Sequence, residues 1–186
     1  MFKHLLISTD GSSLGNKAAK AGIELAHALG AKVTAYYAIE ELQMIADEGF
    51  MMDQTMIDRF AERARESGQK RVDAIGKMAK AAGVPFASVV TNASTAYEGI
   101  IDAAKKRKCD VIFMASHGRR GLSRLMMGSV TQKVLAHSRS YVGQRTDGEN
   151  VCIYTDTCAA SNLSSQRRLI SWTLHPRQPL SSRLSS

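Results

Sequence analysis

Cysteine, proline and tryptophan are scarce in this 186-residue chain, which has three cysteines, three prolines and one tryptophan. Cys109, Cys152 and Cys158 form no CxxC pair and are odd in number, so they cannot make a complete disulfide framework. No apolar run reaches the roughly 18–20 residues that a membrane-spanning helix needs. Residues 1–11 enter strand-like sequence without a signal-peptide pattern. We therefore expect a cytoplasmic protein with reduced thiols and no membrane partner.

Several chemical signatures are missing as well. The pattern GxxxxGK[ST] of a P-loop does not occur, and His4, His27 and His137 fall on separate predicted elements, which gives no support to a metal site. The formal net charge of +8 could suggest nucleic acid. However, basic residues alternate with acids, as in Glu62-Arg63 and Arg65-Glu66, and no recognised binding motif accompanies them. We interpret the charge as solvated helix faces and expect no nucleic-acid partner.

What the chain does contain is an alternation of strand and helix patterns. Apolar residues make up 44% and charged residues 23%, which is ordinary for a globular domain. Runs with β-branched or aromatic residues predict strands, and apolar residues three and four apart predict amphipathic helices. The predicted strands are Phe2–Ser8, Lys32–Ile39, Phe86–Thr91 and Asp110–Ala115. The predicted helices are Ser13–Leu29, Asp53–Ala82 with a soft spot at Ser67-Gly68, Thr95–Lys108, and one from about Ser123 or Gly128 to His137.

This order predicts the fold class. Strands that alternate with helices form parallel sheets through right-handed crossovers. We expect an α/β, doubly wound, Rossmann-like and mostly parallel sheet with helices on both faces. Residues 40–52 interrupt the pattern and are expected to form a loop with a short helical piece, whose methionines cover the core edge. Ligands of such folds bind at the carboxyl ends of the strands.

The stretch Asp110–Ser129 has the pattern of a strand, a loop and a helix start. Its apolar strand passes into Ser116-His117-Gly118, and Gly128-Ser129 precedes the last helix. Backbone N–H groups at such a junction attract anions, so we predict a phosphate site there. The loop Thr9-Asp10-Gly11-Ser12 after the first strand should lie beside it, since both follow strands of one parallel sheet.

The chain changes character after about residue 140. Its last lysine is Lys133, and only residues 151–154 are strand-like beyond residue 145. Ser140 to Gln144, where a fifth strand should follow the last helix, contains Gly143 in place of an apolar residue. We predict a weak or replaced fifth strand, one domain over residues 1–145, and an atypical, disordered or loosely packed tail over residues 146–186. A small accessory element in that tail is the alternative.

Taken together, these loops make the chain resemble the universal stress protein family over residues 1 to about 139. The family's nucleotide-binding version has Gly, two residues, Gly, nine residues, Gly and Ser or Thr. Here Gly118, Gly128 and Ser129 are in register, and Ala115 stands at the first glycine position. The matching stretches are Thr9-Asp10-Gly11-Ser12, Met114-Ala115-Ser116-His117-Gly118 and Gly128-Ser129-Val130-Thr131.

The resemblance implies a site for an adenine nucleotide, ATP with Mg²⁺, formed by the loops after the first and fourth strands. Asp10 would accept hydrogen bonds from the adenine or ribose end, or would instead cap the turn or the first helix. His117 lacks the acid partner and nucleophile that hydrolysis needs, so we interpret it as structural. The implied binding residues are Thr9, Asp10, Ala38, Met114, Ala115, His117, Gly118, Arg119, Gly128, Ser129 and Val130. Arg119, together with Arg120 and Arg124, either contacts phosphate or is a solvated loop charge.

By the same resemblance, the protein would act as a sensor or interaction protein in a stress response, as a homodimer that the altered C-terminus weakens. Two alternatives stay open, a slow ATP hydrolase and a dimeric interaction module that binds no nucleotide. The resemblance stops abruptly at Arg139-Ser140. A change of reading frame in the gene at that point is our hypothesis for the stop.

Overall fold

The computed structural model of the protein describes residues 2–40, 53–115, 128–138, 141–145, 150–154 and 169–173. The helices are α1 (Ser13–Leu29), α2 (Gln54–Ala81), α3 (Ala96–Arg107) and α4 (Ser129–His137). The strands are β1 (His4–Ser8), β2 (Lys32–Glu40), β3 (Phe86–Ala93), β4 (Val111–Ala115), β5 (Tyr141–Arg145), β6 (Asn150–Tyr154) and β7 (Leu169–Thr173). The predicted α/β alternation through α4 is confirmed. Of the two starts considered for the last helix, α4 takes the later one, with Gly128 as its N-cap.

The sheet has the strand order β3-β2-β1-β4-β5-β6-β7. Strands β1 to β5 pair in parallel, and β6 and β7 are antiparallel additions at one edge. The chain moves from β1 outward to β3 and then crosses to β4 on the other side of β1. The topological switch point therefore lies between β1 and β4, where open α/β sheets bind their ligands.

Two apolar clusters cover the two faces of this sheet. Leu5 and Ile7 of β1 and Phe113 of β4 pack with α1 and α2 on one face. Leu6 of β1 and Ile112 of β4 face α3 and α4 on the other. Because β1 and β4 are buried on both faces, their side chains are apolar at successive positions, the pattern expected of central parallel strands. None of the described helices is both long and apolar enough to cross a membrane.

Helix α1 begins and ends at the residues that its sequence predicts. The Ser12 side chain caps its N-terminus by accepting a hydrogen bond from the Gly15 N–H. Gly30, in the left-handed conformation with φ of 64°, ends it and donates its own N–H to carbonyls of the last turn. Both signals are local, which explains why this helix could be delimited from sequence.

Helix α2 has two halves of different character. Residues 53–63 are all exposed, and Gly68 is the first buried residue of the helix. The helix runs without a break through Ser67-Gly68, where the sequence predicts a soft spot. A Cβ atom at Gly68 would lie 2.8 Å from Cδ1 of Tyr37, so the glycine allows close packing of the helix on β2. The predicted loop over residues 40–52 lies outside the described residues except for Glu40, which ends β2.

The backbone beyond α4 continues the sheet. Strand β5 pairs with β4 from Val111↔Tyr141 to Ala115↔Arg145, at the place predicted for a weak or replaced fifth strand. Strand β6 coincides with the strand-like residues 151–154, whereas β7 was not predicted. The assignment of residues 146–186 to a disordered or loosely packed tail stays a prediction.

Candidate functional site

The carboxyl ends of β1 and β4 lie side by side at the switch point. The two strands pair in parallel from Leu5↔Val111 to Ile7↔Phe113. Strand β1 ends one residue beyond this register and β4 two residues beyond it. The segments that follow, Thr9–Ser12 and the chain leading to α4, therefore leave the sheet from adjacent positions. The predicted adjacency of these two loops agrees with this topology.

The loop between β1 and α1 is organised by its own side chains. Thr9 is buried, and its N–H donates to the Tyr36 carbonyl at 3.1 Å, which ties the loop to β2. The Thr9 hydroxyl accepts the Gly11 N–H at 3.0 Å. Gly11 has a φ of 76°, a backbone conformation that residues with a Cβ atom rarely adopt. The hydrogen bonds of Thr9 and the positive φ of Gly11 thus define the conformation of this loop.

Asp10 has a structural role in this loop. Its Oδ1 atom accepts the Ser12 N–H at 2.9 Å, which closes an Asx turn just before α1. The capping role considered for Asp10 is therefore present in the structure, while the cap of α1 itself is Ser12. A carboxylate has two oxygens and several acceptor positions, so the turn does not use its whole capacity to accept hydrogen bonds.

At the end of β4, a direct hydrogen bond ties the strand to α4. The buried Thr131 hydroxyl donates to the Ala115 carbonyl at 3.1 Å. Ala115 does not adopt a positive φ, so its methyl group is compatible with the backbone at the first glycine position. This contact brings the start of α4 to the carboxyl end of β4.

No side chain of the described residues caps the first turn of α4. The first N–H groups of any helix lack intrahelical acceptors. Gly128, the N-cap, has no side chain to accept them, and Ser129 beside it is exposed. No acidic residue occupies this first turn. Val130 is half-buried and packs against the cluster beneath α3 and α4. An anion at this helix end would meet donors and the positive end of the helix dipole.

The remaining implied residues fall in three places. Ala38 lies within β2 rather than after it, two residues before the strand ends, and it is half-buried. Met114 is buried in β4 with 6% of its surface exposed, against the cluster beneath α3 and α4. His117, Gly118 and Arg119 lie outside the described residues, as do Arg120 and Arg124.

Arg71 of α2 lies beside this site, although the sequence does not predict it there. Its Nη1 atom donates to the Asp10 carbonyl at 2.5 Å, and its guanidinium carbon lies 5.2 Å from the centre of the Tyr37 ring. No sequence signal marks Arg71, which is one of several basic residues along α2. The packing of α2 beside α1 brings it to the loop.

The described residues contain no group of three or more His, Cys, Asp or Glu side chains that could hold a metal ion. Burial raises the pKa of Tyr36, whose hydroxyl is hydrogen-bonded to Thr91 at 2.8 Å in the core. Burial likewise raises the pKa of the Cys109 thiol to about 11, which disfavours the nucleophilic thiolate.

Comparison with known proteins defines the family. The model of the universal stress protein family matches residues 1–142. The chain belongs to the universal stress protein family. A curated member, universal stress protein MJ0531 of Methanocaldococcus jannaschii, is 30% identical over 138 residues, which are 74% of this chain and 78% of that protein.

Solved structures of this universal stress protein fold extend the likeness. The hypothetical protein MJ0577 superposes with a TM-score of 0.66 at 23% identity, covering 80% of this chain and 99% of that one. A universal stress protein solved in complex with cAMP has a TM-score of 0.56 at 18% identity, covering 77% and 96% of the two chains. These likenesses show that the family's α/β fold is present.

Proposed function

We propose that this universal stress protein binds an adenine nucleotide, ATP with Mg²⁺, where the loops after β1 and β4 meet. The observation that carries the proposal is the position of α4. Its first turn, at Gly128 and Ser129, has no side-chain cap among the described residues and is held to the end of β4 by the Thr131 hydrogen bond. Helix N-termini bind phosphate groups through their backbone N–H groups and the helix dipole. The related protein solved with cAMP supports an adenine nucleotide as the ligand class.

The proposed orientation places the phosphates at α4 and the nucleoside towards β1 and β2. Asp10 would accept hydrogen bonds from the ribose or adenine, and the backbone at Ala38 and Met114 would flank the ring. Thr9, Ala115 and Val130 would line the floor, and His117, Gly118 and Arg119 would complete the phosphate loop. Magnesium would be held chiefly by the nucleotide's phosphate oxygens, as is usual for this cation.

In this proposal the protein acts in the cytoplasm as a sensor or interaction protein, and a homodimer is its expected assembly. Binding without efficient hydrolysis is the expected activity, because no acid partner and nucleophile accompany His117 in the sequence. A slow hydrolase remains the second candidate only if phosphate is released. Phosphate release by the wild-type protein that exceeds release by an Asp10→Ala variant would favour the hydrolase.

Thermal melting with and without ATP and Mg²⁺ tests the binding. ATP at one hundred times its dissociation constant should add about 2.7 kcal/mol to the free energy of unfolding. For a chain of this size, that raises the melting temperature by roughly 5–11 °C. No shift at millimolar ATP would contradict the proposal and leave the interaction module without nucleotide as the better hypothesis.

A matched pair of variants locates the site. Ser129→Asp adds a carboxylate to the first turn of α4, where it should repel phosphate and abolish most of the ATP-dependent shift. Gln54→Asp adds the same charge to the exposed first residue of α2 and should leave that shift unchanged. Both carboxylates favour their helix dipoles, so neither variant should unfold the protein. Equal losses in both variants would place the nucleotide elsewhere.

A further inference from the structure

Arg71 links α2 to the loop that precedes α1. Its Nη1 atom donates to the Asp10 carbonyl, and its Nε atom lies 3.4 Å from the Ser67 hydroxyl one turn earlier in the same helix. The Arg71 side chain is half-buried, so it lies against the protein surface where it reaches the loop. A charged guanidinium bonded to a carbonyl is among the stronger hydrogen bonds in proteins. The loop is thus held by its own side chains and by a second element.

Tyr37 of β2 supports the guanidinium from below. The guanidinium carbon lies 5.2 Å from the ring centre, within the range of a cation–π contact. The ring in turn rests on the backbone of α2 at Gly68, where a built Cβ atom would lie 2.8 Å from Cδ1 of Tyr37 and 2.9 Å from Cγ1 of Val90. Any side chain at residue 68 would displace the ring. Gly68, Tyr37 and Arg71 therefore form a stack in which each member positions the next.

Gly11 completes the arrangement from the loop side. A Cβ atom built there would overlap the guanidinium, and it would lie 2.6 Å from Cζ and 2.9 Å from Cδ of Arg71. Gly11 also has a positive φ of 76°. The absence of a side chain at this residue gives the loop its backbone conformation and leaves room for Arg71.

From these contacts we infer that Arg71 is a positioning residue for the β1–α1 loop. It fixes the conformation of Thr9–Ser12, which leaves the sheet beside the end of β4, and the Gly68–Tyr37 stack keeps the guanidinium in place. Its relevance to nucleotide affinity rests on the proposed function; its effect on the loop does not. Arg71 acts through the Asp10 backbone and touches no ligand in this inference.

Amide hydrogen exchange of the protein without nucleotide tests the inference directly. In an Arg71→Met variant, the Gly11 and Ser12 amides should exchange roughly 10- to 100-fold faster, the range expected for loss of one hydrogen bond to a charged group. Amides in the middle of β2 and α3 should keep their rates. Arg63→Met removes the same charge from an exposed position of α2 and should change no loop amide. Arg71→Lys keeps a donor and should restore part of the protection.

Two further measurements complete the test. Gly68→Ala should also speed exchange at Gly11 and Ser12, because its new methyl group displaces Tyr37 beneath Arg71. Arg71→Met should weaken ATP binding by no more than the factor by which it speeds exchange, at an unchanged number of sites. Loop amides that exchange at the wild-type rate in Arg71→Met would overturn the inference. Wild-type rates in Gly68→Ala would contradict the part of it in which Tyr37 keeps the guanidinium in place. A wild-type protein that binds no ATP would contradict the proposed function alone, since the exchange result stands without nucleotide.

Discussion

Ser12→Ala should destabilise the protein by removing the cap of α1. The Ser12 hydroxyl accepts the Gly15 N–H at 2.9 Å, and Gly15 is buried. Gly15 lies in the first turn, so its N–H has no intrahelical acceptor to replace the hydroxyl. Loss of an N-cap typically costs about 0.5–2 kcal/mol. Because water has little access to the buried Gly15, we expect the upper half of that range, about 1–2 kcal/mol.

The assay is thermal unfolding followed by circular dichroism. For a chain of this length, each kcal/mol lowers the melting temperature by roughly 2–4 °C, so Ser12→Ala should melt about 2–8 °C below the wild type. Ser12→Asn provides another good capping side chain and should recover most of the loss. Ser13→Ala is the matched control, because Ser13 is exposed in the first turn of the same helix and alanine favours helices there.

Two results would refute this reasoning. Ser12→Ala melting at the wild-type temperature would mean that water or a neighbouring group replaces the hydroxyl at Gly15. A loss of equal size in Ser13→Ala would mean that the first turn responds to any change rather than to loss of the cap. In either case, the local signal that marks the start of α1 would not be what stabilises it.

The remaining predictions concern packing, pH and the gene. Gly22→Ala should lower the free energy of unfolding by about 1 kcal/mol net, because the new Cβ would lie 2.9 Å from Cδ1 of Ile7 and 3.0 Å from Cδ1 of Phe113. Ile7→Val in the same chain should recover part of that loss, as urea unfolding would show. Burial is the main cause that lowers the pKa of His4 in the folded protein, and the Lys32 charge is the second. As the pH falls, His4 therefore takes up a proton in the unfolded chain before it does so in the folded protein. Stability should therefore fall as pH drops through about 6.5, and less so in His4→Gln, as unfolding at several pH values would show. When the codons for residues 140–143 are read from their second nucleotide, they can encode an apolar residue, Met or Thr, Leu and Val in succession. DNA sequencing should therefore find an apolar strand in one of the two other frames after codon 139, and the absence of such a strand from both frames would contradict a frame change.

Local signals account for what the sequence predicted well. Strands β1 and β4 are apolar at successive positions because both of their faces are covered, and α1 has a capping serine and a terminal glycine. The parallel topology then follows from alternation and handedness. The adjacency of the two loops follows in turn from this topology, without knowledge of any tertiary contact.

Tertiary contacts account for the features that the sequence did not predict. The sequence predicts a soft spot at Gly68 because glycine disfavours helices. In the structure, α2 packs so closely on Tyr37 at this residue that a side chain would not fit. Arg71 has no pattern in the sequence, since only the packing of α2 brings it to Asp10. Strand β7, Leu169–Thr173, is too short for periodicity to distinguish it from the serine-rich sequence around it.

The two halves of α2 give this helix a gradient of local stability. Residues 53–63, including the exposed Met56, Ile57 and Phe60, have little tertiary packing in the described structure, and an isolated helical segment of that length is marginal in water. Unwinding can start at Gln54 and advance with little loss of burial until it reaches Gly68. There the next turn carries Arg71, so further unwinding would release the Asp10 carbonyl. Fraying of one helix end and order in the loop before α1 are thereby parts of one local unfolding equilibrium.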